Sequence, residues 1–120
     1  LRRKAMSKRY PFPDPPKKVQ ELSDAEFRKA VKKKGVTVIS VKREDCGWCP
    51  EIVPTIDKIA KDHAGVGVFR IDVDKAPKAT QALRIQNIPT VIFLKNGKEI
   101  KRVVGADPER IEKTLGRLLK

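Results

Sequence analysis

Residues 36–41, Val-Thr-Val-Ile-Ser-Val, set the tightest limit on what this chain can fold into. The run is β-branched and nearly all apolar, so neither face of the strand it forms suits water. Such a strand belongs inside a sheet covered on both sides. Residues 66–73, Val-Gly-Val-Phe-Arg-Ile-Asp-Val, repeat the signal. Helical patterns alternate with these strands. Ser23 and Glu26 have capping-box spacing, Leu22 and Phe27 can form a hydrophobic staple, and a helix is predicted from there to about Lys34, stopped by Gly35. A second helix follows the cysteines, with Ile52, Ile56, Ile59 and Ala60 as its apolar stripe and a kink expected at Pro54. Residues 75–85 read as a short third helix. Asp107 and Pro108 open a fourth, lined by Ile111, Leu115, Leu118 and Leu119. Residues 19–22 form a short strand, and Asn96-Gly97 turns a hairpin between strands 90–94 and 99–104. The order βαβαβαββα predicts an α/β fold. Its first half is parallel through right-handed crossovers, its second half is an antiparallel hairpin, and helices cover both faces of one mixed sheet.

A length of 120 residues fits one domain with one modest core. No apolar run approaches the ~18 to 20 residues of a membrane span, and no secretory signal core is visible. The first residue is Leu1, as expected of a processed or trimmed chain. Net charge is +13. Residues 1–18 hold seven basic side chains (Arg2, Arg3, Lys4, Lys8, Arg9, Lys17, Lys18) and one acid, Asp14. Pro11, Pro13, Pro15 and Pro16 keep residues 10–16 extended. Residues 1–18 are therefore read as a basic, proline-rich extension, and residues 19–120 as the folded domain. Two readings of the extension stand: a segment that docks on a partner through Arg2, Arg3, Lys4, Lys8 and Arg9, or the remnant of an organelle-targeting peptide. The domain itself carries 21 basic and 14 acidic residues, which suits either polyanionic neighbours, such as RNA or acidic protein, or a solvated basic surface. With six aromatics in the chain, any nucleic-acid contact is expected at phosphate.

The two cysteines, Cys46 and Cys49, sit in Cys-Gly-Trp-Cys between a buried strand and a helix. Two cysteines cannot make the disulfide framework of a small secreted domain. A zinc site needs two more ligands, and only His63 remains as a soft donor; a site shared between subunits is the one route to it. Thiol–disulfide chemistry fits better. Cys46 falls near a helix N-terminus, where free N–H groups favour a thiolate. Cys49 lies three residues on, less exposed and within disulfide reach. Cys46 is expected to attack a target disulfide, and Cys49 to resolve the mixed disulfide. His63, at the end of the same helix, suits its C-terminal dipole, and Asp72 and Asp74 suit turn and capping roles.

These residues resemble the thioredoxin family. From Cys46 to Ala106 the chain lies on the family pattern without a gap. The matches are CxxC opening a helix, Pro54 five residues past the second cysteine, Asp72–Pro77, Ile88-Pro89-Thr90, Phe93–Gly97 and Val103–Ala106. The resemblance implies a thioredoxin fold and a cis peptide bond before Pro89. It also implies a substrate groove of Ile88, Pro89, Gly105 and Ala106 beside Cys46. Departures from the pattern fall around the cysteines. Asp45 stands where the family usually has Trp, and a carboxylate there opposes a thiolate. Trp48 replaces Pro between the cysteines and either contacts a partner or is a half-exposed loop aromatic. Ser40 occupies the place of the family's buried Asp, and Arg70 that of its Lys partner. Lys42 either offsets Asp45 or points to solvent.

The expectation is a thiol–disulfide oxidoreductase acting on protein disulfides, tuned by Ser40, Asp45 and Arg70. It needs no bound cofactor beyond the Cys46–Cys49 pair, no metal, and electrons from an external reductase or partner dithiol. The location expected is intracellular, with an organelle matrix or stroma ahead of the cytoplasm. The alternative is a thioredoxin-fold subunit docked by its basic extension in a nucleic-acid-containing assembly, such as an organellar ribosome or polymerase complex.

Overall fold

A computed structural model describes residues 19–120. In chain order the elements are β1 (Gln20–Glu21), α1 (Asp24–Ala30), β2 (Val36–Lys42), a 3₁₀ turn (Cys49–Ile52), α2 (Val53–Asp62), β3 (Gly67–Asp72), α3 (Pro77–Ala82), β4 (Thr90–Lys95), β5 (Lys98–Val104) and α4 (Pro108–Leu118). The β-branched run at 36–41 forms the middle strand of a five-stranded sheet ordered β1-β3-β2-β4-β5. β3 runs parallel to β1 and β2, and β4 runs antiparallel to β2 and β5.

Alternation along the strands divides the core between the two faces. Val36 and Val38 join Val68, Val91, Phe93 and Val103 under Ile52, Ile56 and Ile59 of the cysteine helix and Ile111 and Leu115 of α4. Ile39 and Val41 join Ile71, Ile92 and Leu94 under Phe27 of α1 and Ala79 and Leu83 at α3. At the expected capping box, Ser23 Oγ accepts from the Glu26 N–H at 3.2 Å, and Glu26 accepts from the Ser23 N–H at 2.9 Å. That contact holds the Glu26 carboxyl below its usual range. Asn96 (φ 53°) and Gly97 (φ 84°) make the hairpin turn with the positive φ values it demands. A Cβ on Gly97 would lie 2.7 Å from the Val31 carbonyl oxygen, so the position needs glycine twice over.

Two boundaries and one strand register differ from the sequence reading. α1 ends at Ala30, because Lys32 and Lys33 donate to Lys29 and Ala30 in tighter i→i+3 bonds that turn the chain toward β2. α3 is limited to Pro77–Ala82: Pro77 sits in its first turn, and Arg84 takes a left-handed φ of 54° that ends it. β5 carries a bulge, with Phe93 opposite Lys101 but Leu94 opposite Glu99, so Ile100 is the extra residue. The readings made for Arg2, Arg3, Lys4, Lys8 and Arg9 lie outside the described residues. Among the described residues, no helix is long and apolar enough to cross a membrane.

Candidate active site

The sheet register gathers the expected site at one end. Val41, near the end of β2, pairs with Thr90 at the start of β4, and Thr90 pairs with Val104 at the end of β5. Lys42 pairs with Asp72 at the end of β3. The loops carrying Cys46, Pro89 and Gly105 therefore leave the same end of the sheet. The Ile88–Pro89 bond is cis, and Gly105 donates its N–H to the Pro89 carbonyl at 2.8 Å. Gly105 has φ 99°, a left-handed value that favours glycine. Ala106 packs its methyl against the α2–α4 side of the core.

Cys46 and Cys49 form a disulfide, with Cα atoms 5.4 Å apart. The helix behind them starts differently from the expectation. Cys49 is the first residue of a 3₁₀ turn, and the α-helix begins only at Val53. Pro54 explains the change. It has no N–H for the Pro50 carbonyl, so the Val53 N–H takes that carbonyl in an i→i+3 bond instead. Pro54 thus lies where the 3₁₀ turn meets α2, not inside a kinked helix. The Cys49 N–H points back at Cys46 Sγ, 3.1 Å away. Cys46 is half-buried, and Cys49 is 6% exposed.

A cavity of about 240 Å³ lies beside the disulfide. Ser40, Lys42, Arg43 and Glu44 line it from β2 and the loop beyond, Arg70 from β3, and Cys46, Cys49, Pro50 and Val53 from the cysteine segment. Ser40 and Arg70 are direct partners across the β2–β3 pairing, and Ser40 is buried. Arg70 finds its carboxylate elsewhere, at Asp57 of α2, 3.8 Å away. Asp45, with its side chain 84% exposed, sits 4.0 Å from Arg43, which also reaches Asp74 at 3.4 Å. Lys42 neither offsets Asp45 nor points to solvent: it bridges Asp72 and Glu21, each at 3.3 Å. Asp72 also accepts the Asp74 N–H at 2.9 Å. Burial pushes the Asp72 carboxyl up. The Asp74 N–H, the Lys42 hydrogen bond and charge, and the Lys75 charge outweigh it, and the group titrates below the ordinary value. Trp48 is 70% exposed at the rim.

Sequence reasoning missed Arg102. Its guanidinium is gripped by Glu99 and donates to the Leu83 carbonyl at 2.8 Å and the Arg84 carbonyl at 3.4 Å. It thereby satisfies the carbonyls at the end of α3, where the segment leading to Pro89 begins. The Glu99 hydrogen bond keeps Arg102 charged and holds Glu99 below its usual range. The signal in the sequence was Glu99 three residues before Arg102 on an edge strand, which reads equally well as solvated charge.

A thioredoxin family model matches residues 18–117. The chain belongs to the thioredoxin family. It is 40% identical over 79 residues to a thioredoxin of Malassezia sympodialis, covering 64% of this chain and 75% of that protein. It is 35% identical over 95 residues to the chloroplastic M-type thioredoxin of Spinacia oleracea, covering 78% of this chain and 52% of that protein, so the match spans about half the length of this relative. The crystal structure of the Malassezia sympodialis thioredoxin has a TM-score of 0.81 to this chain at 32% identity, covering 92% of this chain and 100% of that one. The oxidised mitochondrial thioredoxin 3 of Saccharomyces cerevisiae has a TM-score of 0.78 at 28% identity, covering 83% and 95%. The Cys46–Cys49 disulfide marks the chain as a thiol–disulfide oxidoreductase of thioredoxin type.

Proposed function

We propose that Cys46 is the attacking thiol and Cys49 the resolving thiol in the reduction of protein disulfides. The observation that carries this is the asymmetry of the pair: Cys46 is reachable from solvent, while Cys49 is buried beneath it with its N–H on Cys46 Sγ. The Cys46 thiolate attacks one sulfur of the target disulfide and expels the other as a thiolate. Cys49, losing its proton to water in the adjoining cavity, then attacks Cys46 Sγ. The target leaves with both sulfurs reduced, and the Cys46–Cys49 disulfide holds the two-electron oxidation. An external reductase or partner dithiol returns the electrons. Trp48, Ile88, Pro89, Gly105 and Ala106 form the groove that receives the target chain. Ser40, Asp45 and Arg70 tune the pair. Ser40 leaves the cavity without a buried carboxylate, its one lining acid being the exposed Glu44, and Arg70 supplies a cation to it.

The test is an insulin-type disulfide-reduction assay. Wild type turns over, and Cys46→Ser abolishes turnover. Cys49→Ser accumulates mixed disulfides through Cys46. Turnover that survives Cys46→Ser would remove the assignment.

The basic extension, residues 1–18, is proposed to dock the domain on a polyanionic partner, RNA or acidic protein, and an organelle matrix or stroma is the proposed compartment. Seven basic residues against one acid support the first. The chloroplastic and mitochondrial thioredoxins among the similar proteins support the second. Removing residues 1–18 is expected to abolish a salt-sensitive association in co-purification. Identical association with and without them, across salt concentrations, would end the docking role.

A further inference from the structure

Away from the disulfide, β5 and α4 enclose a second surface of marked chemistry. β5 is the sheet edge and pairs only with β4, so the backbone groups of its outer side have no strand partner among the described residues. Beside it, a groove of about 390 Å³ is lined by Lys101, Arg110, Lys113 and Arg117. None of these four forms an ion pair among the described residues. Its two acids, Asp107 and Glu109, lie at the N-terminal end of α4, and Asp107 already accepts the Arg110 N–H. Arg110, Lys113 and Arg117 recur at i, i+3 and i+7, so they stand in a row on one helix face. The groove continues into a hollow of about 210 Å³ that shares Lys101, Thr114 and Arg117 with it and adds Ile100 and Leu118. Ile100, the extra residue of the bulge, is 48% exposed there.

We infer that this groove docks an acidic protein segment in extended form, with a bulky apolar side chain on Ile100 and Leu118 and carboxylates against the basic row. Three features select that occupant. Lys98 and Lys101 on the edge strand repel a second copy of the same basic edge, while they attract an acidic strand. The apolar floor has no use for a sugar–phosphate backbone. No aromatic side chain lines the groove to stack a base. The surface shares no residue with the cavity at the disulfide, so a partner held here leaves Cys46 free. It does not depend on the roles assigned to the cysteines.

The experiment is an amide chemical-shift titration of the full oxidised chain. The first probe is the peptide acetyl-Glu-Asp-Leu-Glu-Ile-Asp-Glu-amide. The second is the same peptide with Ser for Leu and Ile, and the third is an oligouridylate of equal charge. The first peptide is expected to shift residues 98–104 and 107–118, with binding that weakens as salt is raised. Lys113→Glu with Arg117→Glu is expected to weaken it about tenfold. Ile100→Ser, which leaves every charge in place, and the Ser peptide are each expected to bind several-fold more weakly. The inference is overturned by shifts confined to residues 1–18 or to the cysteine loop. It is equally overturned by unchanged affinity in the double variant, by equal binding of the two peptides, or by tighter binding of the oligouridylate.

Discussion

At the scale of single residues, the proposed tuning of the exchange centre rests on Ser40 and Arg70. Ser40 and Arg70 face each other across two strands, and both border the cavity beside Cys49. With serine at position 40, the one carboxylate lining the cavity is the exposed Glu44, and the arginine is the cation that β3 contributes, alongside Lys42 and Arg43. A cation beside a sulfur favours its thiolate. Arg70→Met is therefore expected to slow the release of mixed disulfides about tenfold at neutral pH, the effect of roughly one unit of thiolate stabilisation. It should also move the pH–rate profile of that step toward alkaline pH. Stopped-flow measurement of release across pH checks both, and Arg70→Lys should recover most of the rate because it keeps the charge. Asp45 is expected to have a weak hold on the chemistry. Its carboxylate is 84% exposed and has Arg43 beside it, so water and a counter-charge screen it.

At the scale of elements, the segment from α3 to Pro89 is held by one side chain from the far edge of the sheet. Arg102 brings charge-assisted hydrogen bonds to carbonyls that α3 leaves unpaired, and Glu99 keeps it oriented. Arg102→Ala is expected to cost about 1–2 kcal/mol, less than a fully buried bond because the guanidinium is partly exposed. Chemical denaturation measures that loss, and faster amide exchange at residues 83–89 localises it. Arg102→Lys should restore little, since an ammonium cannot span both carbonyls and Glu99 in one plane. Pro54 acts at the same scale. By withholding one N–H it converts the first turn behind the cysteines to 3₁₀ geometry, and so sets how Cys49 is presented to Cys46.

At the scale of the whole molecule, the site end of the sheet is tied together by charge. Lys42 links the ends of β2 and β3 and the short β1 through Asp72 and Glu21, at the end from which the cysteine loop leaves. The Asp72 carboxyl titrates below its unfolded value of about 3.9, so its contribution is present above that value and fades as pH falls through the lower folded one. Asp72→Asn keeps an acceptor for the Asp74 N–H but drops the charge facing Lys42. It is expected to lower stability by about 1–2 kcal/mol near neutral pH and by almost nothing in strong acid, where wild type has lost the same charge. Urea midpoints for the two proteins should therefore converge as pH is lowered. Midpoints that stay equally far apart at every pH would show packing, not charge, at Asp72.

The sequence alone determined the layered α/β architecture, because period-2 burial, β-branched runs, the Ser23 cap and the Asn96-Gly97 turn are local preferences that each residue expresses against its neighbours in the chain. It determined the cysteine pair for the same reason, since a spacing of three is local. The tertiary structure decided what local preference leaves open. Lys42 chose Asp72 and Glu21 over Asp45, Arg70 chose Asp57, Arg102 reached back to α3, and the β5 bulge turned Ile100 toward Leu118. Each of these choices joins residues distant in the chain. Which long charged side chain meets which partner depends on strand register and helix placement, and those exist only once the core has closed.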